Sequence, residues 1–497
     1  MSERGISKVV IAGGGTAGWM TAAALSHLVG RPLDITLVES DDIGTVGVGE
    51  ATIPTLLTIN RLLKIPEPEF IRETSGTFKL GIQFENWTRP GDRYIHSFGD
   101  TGKGCWAGGF QHFWLRGQRE GIAQAYGDYC LELKAAESGK FGLLSDTPIN
   151  YAYHLDATRY GQYLRKRAER AGVRRVEGVI TEVQTEPVNG HISALKLDSG
   201  ALIEGELFID CTGFRALLSE GALDTGFDDW SHWLPCNRAW AMPSELTGDP
   251  LPYTRAIAQR AGWQWRIPLQ HRAGNGLVYN SEHISDDEAL SVLQGHVDEQ
   301  ATADPRLIRF TTGQRKRYWH RNCIAIGLSS GFIEPLESTS IHFIQNAIMW
   351  LLLMFPEQGI DDALVAEYNG KLRSEAEHIR DFIVLHYRLN AREGEPFWDD
   401  LRHMAIPDSL AQRMALFERS GRVFKPQDDV FSENSWVQVM LGQGLTPRGY
   451  HNIADAMSTS QLTSYLGSIS EDVARKLARM PDHSDFVDHY SRSGHRN

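Results

Sequence analysis

A glycine-rich turn near the start of the chain has the residue types and spacing of a dinucleotide-binding site. Gly13 to Gly18 fit the pattern G-x-G-x-x-G, and Glu39 closes the next apolar run. Small residues let the backbone approach a pyrophosphate at a helix N-terminus, and a carboxylate accepts hydrogen bonds from ribose hydroxyls. A glutamate at this position, rather than an arginine, favours a dinucleotide whose ribose has a free 2′-hydroxyl. The expected cofactor is therefore FAD or NAD. A merely tight strand-to-helix turn is the alternative.

The elements around this turn are predicted to form one βαβ unit. Hydrophobic periodicity predicts a strand over Lys8 to Ala12, a helix over Thr16 to Val29 and a strand over Asp34 to Glu39. The glycine turn then lies between the first strand and the helix, as the dinucleotide pattern requires.

Later elements are predicted from the same kinds of signal. A helix is expected over Asp156 to Ala171, and short strands with Gly-containing reversals are expected from Val176 to Asp210. A strand over Cys323 to Gly327 leads to a long helix, about Thr339 to Phe355. The rest of the chain reads as mainly helical, with prolines between the helices.

Two of these segments favour FAD over NAD. Leu207 to Arg215 and Cys323 to Ser330 are both apolar strands that end in small residues. Flavoproteins of the aromatic-hydroxylase type resemble this arrangement, with a glycine-containing turn after a late strand lying against the flavin. Hydroxylases usually carry Gly-Asp at that turn, whereas this chain has Gly327-Leu328. Two buried strands with tight turns are the alternative.

The composition excludes several classes of partner. A net charge of −13 argues against a nucleic-acid backbone and against anionic lipid. The apolar run Ile348 to Phe355 is shorter than the roughly 20 residues of a membrane span, and the polar start, Met1 to Gly5, predicts no signal peptide. The five cysteines are scattered without C-x-x-C spacing, so we expect no metal site, no disulfide framework and a cytoplasmic location.

Five motifs together carry a family resemblance. They are Gly13 to Trp19, Gly47 to Pro54, Phe78-Lys79, Trp263 to Pro268 and Glu334 to Thr339. With them the chain resembles the flavin-dependent tryptophan halogenases from the first strand to about residue 470. The W-x-W-x-I-P pattern of Trp263 to Pro268 separates these halogenases from the hydroxylases.

The resemblance implies a reaction and its cofactors. Reduced FAD reacts with O2 to form a C4a-hydroperoxide, chloride or bromide attacks it, and the resulting hypohalous acid halogenates an electron-rich aromatic such as an indole. Only one dinucleotide fingerprint is visible, so a separate NAD(P)H flavin reductase is expected to supply the reduced flavin. The oligomeric state is left open, with a homodimer as one option.

The fold expected from pattern and resemblance is α/β. We predict a Rossmann-like FAD-binding body of the aromatic-hydroxylase type over residues 1–350, with interleaved substrate-covering insertions, and a mainly helical substrate-covering part over residues 351–497. The residues expected to bind FAD are Gly13, Gly15, Thr16, Ala17, Gly18, Glu39, Ser40, Ala51, Ile180, Asp210, Leu328 and Ile341.

The resemblance also names two catalytic residues, Lys79 and Glu337. A lone lysine is ordinarily a solvated surface residue, but the family's lysine presents the oxidant to the substrate, and burial tends to lower a lysine's pKa. Glu337 precedes a long helix, where a carboxylate is favourable and Ser338 or Thr339 can cap. In the family, the matching glutamate works with the lysine, polarising the oxidant or accepting the ring proton.

The same helix start is the expected halide site. Unpaired N–H groups at a helix N-terminus bind anions, and the family's halide-binding residues match Thr339 and Ser340. The second position is commonly glycine. Serine disfavours positive φ, so Ser340 leaves the loop geometry and the choice between chloride and bromide in doubt.

The substrate site is expected to be aromatic. His96 and Phe98 match the pair that packs the indole in tryptophan halogenases, and Phe431 falls where those enzymes have a tryptophan; core packing is the alternative for each. The upstream stretch Ser420 to Asp429 lacks the tyrosines that hold the amino-acid end. We therefore expect an aromatic slot without a dedicated amino-acid clamp.

Two other functions remain open from the sequence. An FAD-dependent aromatic hydroxylase would transfer oxygen directly, but W-x-W-x-I-P and the missing Gly-Asp turn count against it. A non-catalytic flavin-binding module would keep the fold without the chemistry, and the presence of both Lys79 and Glu337 counts against that.

Overall fold

The computed structural model describes residues 5–29, 32–43 and 49–493. Gly47 and Val48 of the Gly47 to Pro54 motif lie outside these ranges. The chain divides into two compact units: the first comprises residues 1–76, 155–235 and 309–377, and the second comprises residues 77–154, 236–308 and 378–497.

The strands are short and occur through most of the chain up to residue 332. Within the described ranges they are β1 (Lys8–Ala12), β2 (Asp34–Glu39), β3 (Gly49–Ala51), β4 (Thr77–Lys79), β5 (Gly81–Glu85), β6 (Arg93–Ser97), β7 (Ala152–Asp156), β8 (Arg174–Glu177), β9 (Ile180–Thr185), β10 (Ile192–Leu197), β11 (Leu202–Glu204), β12 (Leu207–Asp210), β13 (Phe227–Asp229), β14 (Arg238–Ser244), β15 (Thr254–Gln259), β16 (Gly262–Pro268), β17 (Ala273–Tyr279), β18 (Arg306–Arg309), β19 (Gly313–Arg315), β20 (Trp319–His320), β21 (Cys323–Ala325) and β22 (Gly331–Phe332).

The helices are concentrated in the last third of the chain. They are α1 (Thr16–Leu28), α2 (Leu56–Leu62), α3 (Glu67–Glu73), α4 (Phe110–Arg119), α5 (Leu131–Glu137), α6 (Ala157–Arg170), α7 (Asp286–Gly295), α8 (Ser340–Leu353), α9 (Asp362–Arg388), α10 (Pro396–His403), α11 (Asp408–Ser420), α12 (Glu433–Gly442), α13 (Thr459–Leu477) and α14 (His483–Ser493). In the part of the chain with assigned structure, no helix combines the length and apolar character of a membrane span.

The first unit is built on a six-stranded sheet in the order β20-β21-β12-β1-β2-β8. The strands β21, β12, β1, β2 and β8 pair in parallel. β1, β12 and β21 are fully or nearly fully buried, as in parallel sheets that are covered on both faces. The α/β fold class is confirmed, and the predicted βαβ unit is present with α1 ending one residue earlier than expected.

The second unit is built on a seven-stranded sheet in the order β18-β14-β17-β16-β15-β5-β6. Its neighbours pair antiparallel except for the parallel pair of β15 and β5. The W-x-W-x-I-P residues form β16, in the middle of this sheet. Trp263, Trp265 and Ile267 alternate along it and are all buried.

Candidate active site

The parallel sheet of the first unit gathers the predicted cofactor residues at one edge. β1, β2, β12 and β21 end at Ala12, Glu39, Asp210 and Ala325, and the strands are parallel, so these carboxyl ends lie on the same side. Ligands of open α/β sheets bind outside the carboxyl ends of the strands. The glycine turn, Glu39 and the Gly327-Leu328 turn therefore lie at one edge of the sheet, where a cofactor is expected.

The glycine turn fits a pyrophosphate. Gly13 has φ +106°, and a Cβ there would lie 2.2 Å from the carbonyl oxygen of Cys211. A Cβ on Gly18 would lie 1.9 Å from the carbonyl oxygen of Gly13, so both positions need glycine for close packing. A Cβ on Gly15, the N-cap of α1, would meet no heavy atom within 4 Å. This opening above Thr16 and Ala17 suits an anionic group at a helix N-terminus.

Glu39 has partners that its sequence position does not show. One carboxylate oxygen accepts hydrogen bonds from Arg175 Nε at 2.5 Å and Arg165 at 3.3 Å, and the other accepts from Trp19 Nε1 at 3.3 Å. α6 and β8 each bring one arginine to this carboxylate, which the local sequence pattern does not show. Both arginines pair with Glu39, which fixes the carboxylate beside the glycine turn.

Three other residues that were predicted to bind FAD, Ser40, Ala51 and Ile180, have no feature in the described part of the structure that points to a cofactor. Ser40 follows β2, and its hydroxyl accepts a hydrogen bond from the Asp42 N–H. Ala51 ends β3 and is buried. Ile180 begins β9 two residues after Gly178, whose N–H donates to the Glu39 carbonyl oxygen at 2.9 Å. Their contact with a cofactor stays a prediction.

Asp210 shapes a loop at the same sheet edge. Its buried carboxylate accepts hydrogen bonds from the backbone and hydroxyl of Thr212, from Leu218 N–H, and from the backbone and hydroxyl of Ser219. Five donors from the chain itself already engage this carboxylate. We therefore assign Asp210 to holding the loop after β12, and its predicted contact with the cofactor stays a prediction.

The Gly327-Leu328 turn packs directly on α1. Gly327 has φ +78°, and a Cβ there would lie 2.8 Å from the Cβ of Ala17. The Ile326 N–H donates to the Asp210 carbonyl oxygen at 2.9 Å, so the turns after β12 and β21 are fastened to each other. Leu328 is half-buried at this junction.

The expected halide loop has the geometry of an anion site. Thr339 is the N-cap of α8 without a side-chain capping bond, and Ser340 is the first helical residue. Within the described ranges, the N–H groups of Thr339 and Ser340 have no hydrogen-bond acceptor. The positive φ falls on Ser338, at 60°, and Ser340 has a helical backbone, so serine at position 340 does not strain the loop. The choice between chloride and bromide is a separate question that the backbone angles do not address. Ile341 follows, buried.

Glu337 is fully buried at the end of a short 3-10 turn just before Ser338. Glu334, at the start of the same motif, is fully buried as well. A buried carboxylate is costly unless polar groups surround it, so two of them in six residues indicate a polar site within the first unit.

The start of α8 is held by a polar network that sequence reasoning missed. His342 Nδ1 lies 2.9 Å from the Thr55 hydroxyl, and His342 Nε2 lies 2.8 Å from Glu375. Gln345 Nε2 donates to the Thr55 carbonyl oxygen at 2.9 Å. Thr55 directly follows the Gly47 to Pro54 motif, so this network ties that motif to the helix whose N-terminus is the expected halide site.

In the second unit, Lys79 and the predicted substrate residues are brought together. Lys79 is fully buried, and its Nζ lies 5.1 Å from the centroid of the Phe98 ring. The His96 ring lies 6.4 Å from both Phe98 and Phe431. Phe382, which sequence reasoning missed, stacks on Phe431 at 3.8 Å. The aromatic cluster next to Lys79 therefore consists of His96, Phe98, Phe382 and Phe431.

The strand that carries Lys79 is fastened to the W-x-W-x-I-P strand. The Thr77 hydroxyl donates to the carbonyl oxygen of Pro268, the last residue of that motif, at 2.8 Å. His154 bridges Thr77 and Thr254 with bonds of 3.0 Å on each ring nitrogen. The W-x-W-x-I-P strand thus fixes β4 two residues before the lysine.

A histidine near the C-terminal end also holds this strand. The Phe78 N–H donates to His483 Nε2 at 3.1 Å, and His483 Nδ1 donates to the Pro250 carbonyl oxygen at 2.7 Å. The Phe78 ring stacks on Phe141 at 4.3 Å and meets Phe486 of α14 edge-on at 5.3 Å. Residues far apart in the chain therefore fix the backbone next to Lys79.

The neutral state of His483 makes stability depend on pH. Burial lowers its pKa from 6.5 to about 4. Because the folded-state pKa is below the unfolded one, the unfolded chain binds more protons in this window, and stability is lost as pH falls from about 6.5 towards 4. We expect His483 to account for about 2 kcal/mol of lost unfolding free energy between pH 7 and pH 5.

Urea unfolding of two variants at both pH values measures this contribution. His483→Gln keeps an acceptor for the Phe78 N–H but does not titrate, so its stability should fall less between pH 7 and pH 5. His489→Gln changes an exposed histidine of the same helix and should behave like the parent protein. Equal losses in all three proteins would show that His483 does not contribute.

Comparisons with known proteins identify the family and confirm the fold. The tryptophan halogenase family model matches residues 8–459. The flavin-dependent halogenase Xcc4156 from Xanthomonas campestris has 54% identity and a TM-score of 0.96, with coverage of 98% of this chain and 99% of that one. BrvH, a flavin-dependent halogenase from Brevundimonas sp. BAL3, has 44% identity and a TM-score of 0.93, with 98% and 99% coverage.

A curated relative, the tryptophan 6-halogenase SttH from Streptomyces toxytricini, is 36% identical over 482 residues, which cover 89% of this chain and 90% of that protein. Sequence and structure thus agree over nearly the whole length. The chain belongs to the tryptophan halogenase family, and it is a flavin-dependent enzyme that uses reduced FAD, O2 and a halide ion.

Proposed function

We propose that this enzyme chlorinates or brominates an indole or a similar electron-rich arene, with Lys79 delivering the oxidant and Glu337 assisting. The observation that carries the proposal is the fully buried Lys79 amine 5.1 Å from the Phe98 ring, within an aromatic cluster that suits an indole. The names of several relatives specify tryptophan as substrate, which supports an indole ring as the group that is halogenated.

The first unit provides a site that fits FAD. The opening at Gly15, the carboxylate of Glu39 and the joined turns after β12 and β21 would hold its pyrophosphate, ribose and ring regions. Bound there, reduced FAD would supply the chemistry that turns O2 and a halide ion into hypohalous acid. The family implies a separate flavin reductase, which would deliver the reduced cofactor.

The Thr339 and Ser340 N–H groups would bind the halide. Both point out of the N-terminus of α8 without an acceptor in the described chain, and the helix dipole adds a partial positive charge there. Because these donors belong to the backbone, serine at position 340 supplies the same group that glycine would.

Lys79 would hold the oxidant by donating a hydrogen bond to it or by forming a haloamine. Its strand is fixed by Pro268, His154 and His483, so the amine is held in one place. Such fixed placement converts a reaction between two mobile partners into one between oriented groups. The Phe98 ring, 5.1 Å from the amine, borders the place where the oxidant would be held.

Glu337 would polarise the oxidant or accept the proton from the halogenated ring. Positioned acid–base groups typically contribute 10² to 10⁴-fold, on the order of 3–5 kcal/mol. The 3-10 turn over Pro335 to Glu337, closed by the Ser338 N–H donating to the Pro335 carbonyl oxygen, would position the carboxylate for this role.

The substrate is proposed to be indole-type rather than free tryptophan. The stretch from Ser420 to Asp429 offers no tyrosine, and its buried Asp429 carboxylate is already engaged by Arg413, the Phe431 N–H and Trp436. A zwitterion in a partly dry pocket needs partners for both charges, because an unpaired buried charge is costly. The aromatic cluster itself stabilises a bound ring by about 0.5–1.5 kcal/mol per favourable pair beyond burial.

We therefore expect kcat/KM for indole to exceed that for free tryptophan. Both values are measured by mass spectrometry of the products under identical conditions, with a flavin reductase, NADH, FAD, O2 and bromide. A tenfold preference for tryptophan would contradict the indole-type assignment and would show that other residues bind the amino-acid end.

A further inference from the structure

A second binding region lies next to the aromatic cluster in the second unit. A cavity of about 140 Å³ is bounded by the start of α4, by residues 421–424 and by the start of α12. Gln111 and His112 line it from α4, and the Gln111 amide donates to the Gly421 carbonyl oxygen at 3.2 Å. Gly421, the C-cap after α11, has φ +65°, which favours glycine at this turn of the cavity lining.

The cavity carries one charge of each sign. Arg422 and Glu433 both line it, and neither forms an ion pair or a side-chain hydrogen bond within the described ranges. His112 faces the same space, and its Nδ1 accepts a hydrogen bond from the His451 N–H at 3.2 Å. The cavity therefore provides both hydrogen-bond donors and hydrogen-bond acceptors. A ligand with main-chain amides and a charged terminus would need both.

The rim of the cavity exposes two large aromatic side chains. Trp106 is 95% exposed next to the lining residue Ala107, and Phe424, which lines the cavity, is 66% exposed. Exposed aromatic groups around a polar cavity are typical of ligand and protein binding sites. A ligand that covers these two side chains would bury additional apolar surface. An indole ring bound in the aromatic cluster alone would not bury it.

The cavity is continuous in sequence with the aromatic cluster. Phe431 stacks in the cluster, and Glu433, two residues later, lines the cavity. The segment between them is fixed, because the Asn434 amide donates to the Gly99 carbonyl oxygen at 2.8 Å, directly after Phe98. The residues that would contact the ring and the residues that line the cavity are therefore neighbours. A ligand whose ring lies in the cluster could extend into the cavity.

We propose that this cavity and its aromatic rim bind the chain of an indole-bearing peptide, whose indole is the group halogenated at Lys79. The inference rests on the proposed indole halogenation. Peptide amides would bond to Arg422, Glu433 and His112, and the chain would cover Trp106 and Phe424. Free tryptophan would gain less, because it has no flanking peptide chain to cover the exposed aromatic groups.

Glycyl-tryptophyl-glycine, free tryptophan and indole are the probes that test this. We expect kcat/KM for the tripeptide to exceed that for free tryptophan by about tenfold, which corresponds to about 1.4 kcal/mol. Arg422→Ala and Phe424→Ala should each lower kcat/KM for the tripeptide about tenfold and leave that for indole within twofold. Leu353→Ala, which removes an exposed apolar group in the other unit, is the matched control.

Binding of a fluorescein-labelled tripeptide, followed by anisotropy, gives a readout that does not depend on turnover. A tenfold weaker Kd in Arg422→Ala and Phe424→Ala supports the inference even if turnover is slow. Halogenation of indole without binding of the peptide, or equal effects of the two substitutions on peptide and indole, would overturn it while the proposed function stands. Absence of halogenation with all three probes would contradict the proposed function, and the anisotropy data would still decide on the cavity.

Discussion

Replacing Lys79 with alanine is expected to abolish halogenation while oxidation of reduced FAD continues. The lysine belongs to the second unit, whereas the glycine turn, Glu39 and the turns after β12 and β21 belong to the first. The substitution removes the amine that would hold the oxidant but leaves the residues that would bind the cofactor. Product formation by mass spectrometry and flavin oxidation by absorbance should be recorded in the same reaction.

Two further variants separate chemistry from folding. Lys79→Met keeps most of the side-chain volume in a fully buried position, so a packing defect is smaller than with alanine. Lys79→Arg keeps a positive charge near Phe98 but cannot become a neutral amine, since arginine stays protonated. Halogenation by the alanine or methionine variant at more than about a hundredth of the parent rate would remove Lys79 from the mechanism.

Glu337→Gln should slow halogenation by about 10²-fold or more, the scale of a lost acid–base group. Glutamine has nearly the same shape, so the turn between Pro335 and Ser338 should be kept. The fall should be in kcat, with KM for indole and the rate of flavin oxidation little changed, because the carboxylate is proposed to act after the oxidant forms.

Glu334→Gln is a matched control for this substitution. Glu334 is equally buried, belongs to the same motif and lies only three residues earlier. We expect its substitution to affect stability more than kcat. If both glutamine variants are slowed to the same extent, the effect belongs to the fold of the motif and Glu337 has no special chemical role.

The sequence correctly predicted individual strands, helices and the glycine turn, because each depends on a pattern over a few neighbouring residues. The first strand, the second strand and the glycine turn were placed correctly because hydrophobic periodicity and glycine spacing act over a few residues. α6 was expected over Asp156 to Ala171 and is found at Ala157–Arg170, with Asp156 as a capping residue. The long helix after Glu337 begins one residue later than expected and ends at Leu353.

The parts that were not predicted depend on contacts between distant residues. The arginines that surround Glu39 lie more than 120 positions away in the chain, and His483 reaches Phe78 across 405 positions. Nor does any local signal show that Phe382 stacks on Phe431. The order of the seven-stranded sheet has the same cause, since β5 pairs with β15, and the paired residues Ile82 and Thr254 lie 172 positions apart in the chain.

Ser340 shows how one backbone angle changes an interpretation. Sequence comparison with the family suggested a position that favours glycine, and the doubt about serine followed from that. The structure places the left-handed residue at Ser338 instead, so Ser340 begins the helix and keeps its N–H available. The sequence alone does not show whether residue 338 or residue 340 has the positive φ, and the backbone dihedral angles do.

Mass spectrometry of indole incubated with the enzyme, a flavin reductase, NADH, FAD, O2 and bromide tests the central claim most directly. The proposed function predicts bromoindole, formed only when enzyme, bromide and O2 are all present and absent with Lys79→Ala. Hydroxyindole in place of bromoindole would show that oxygen is transferred directly, as in an aromatic hydroxylase, and would contradict the proposal.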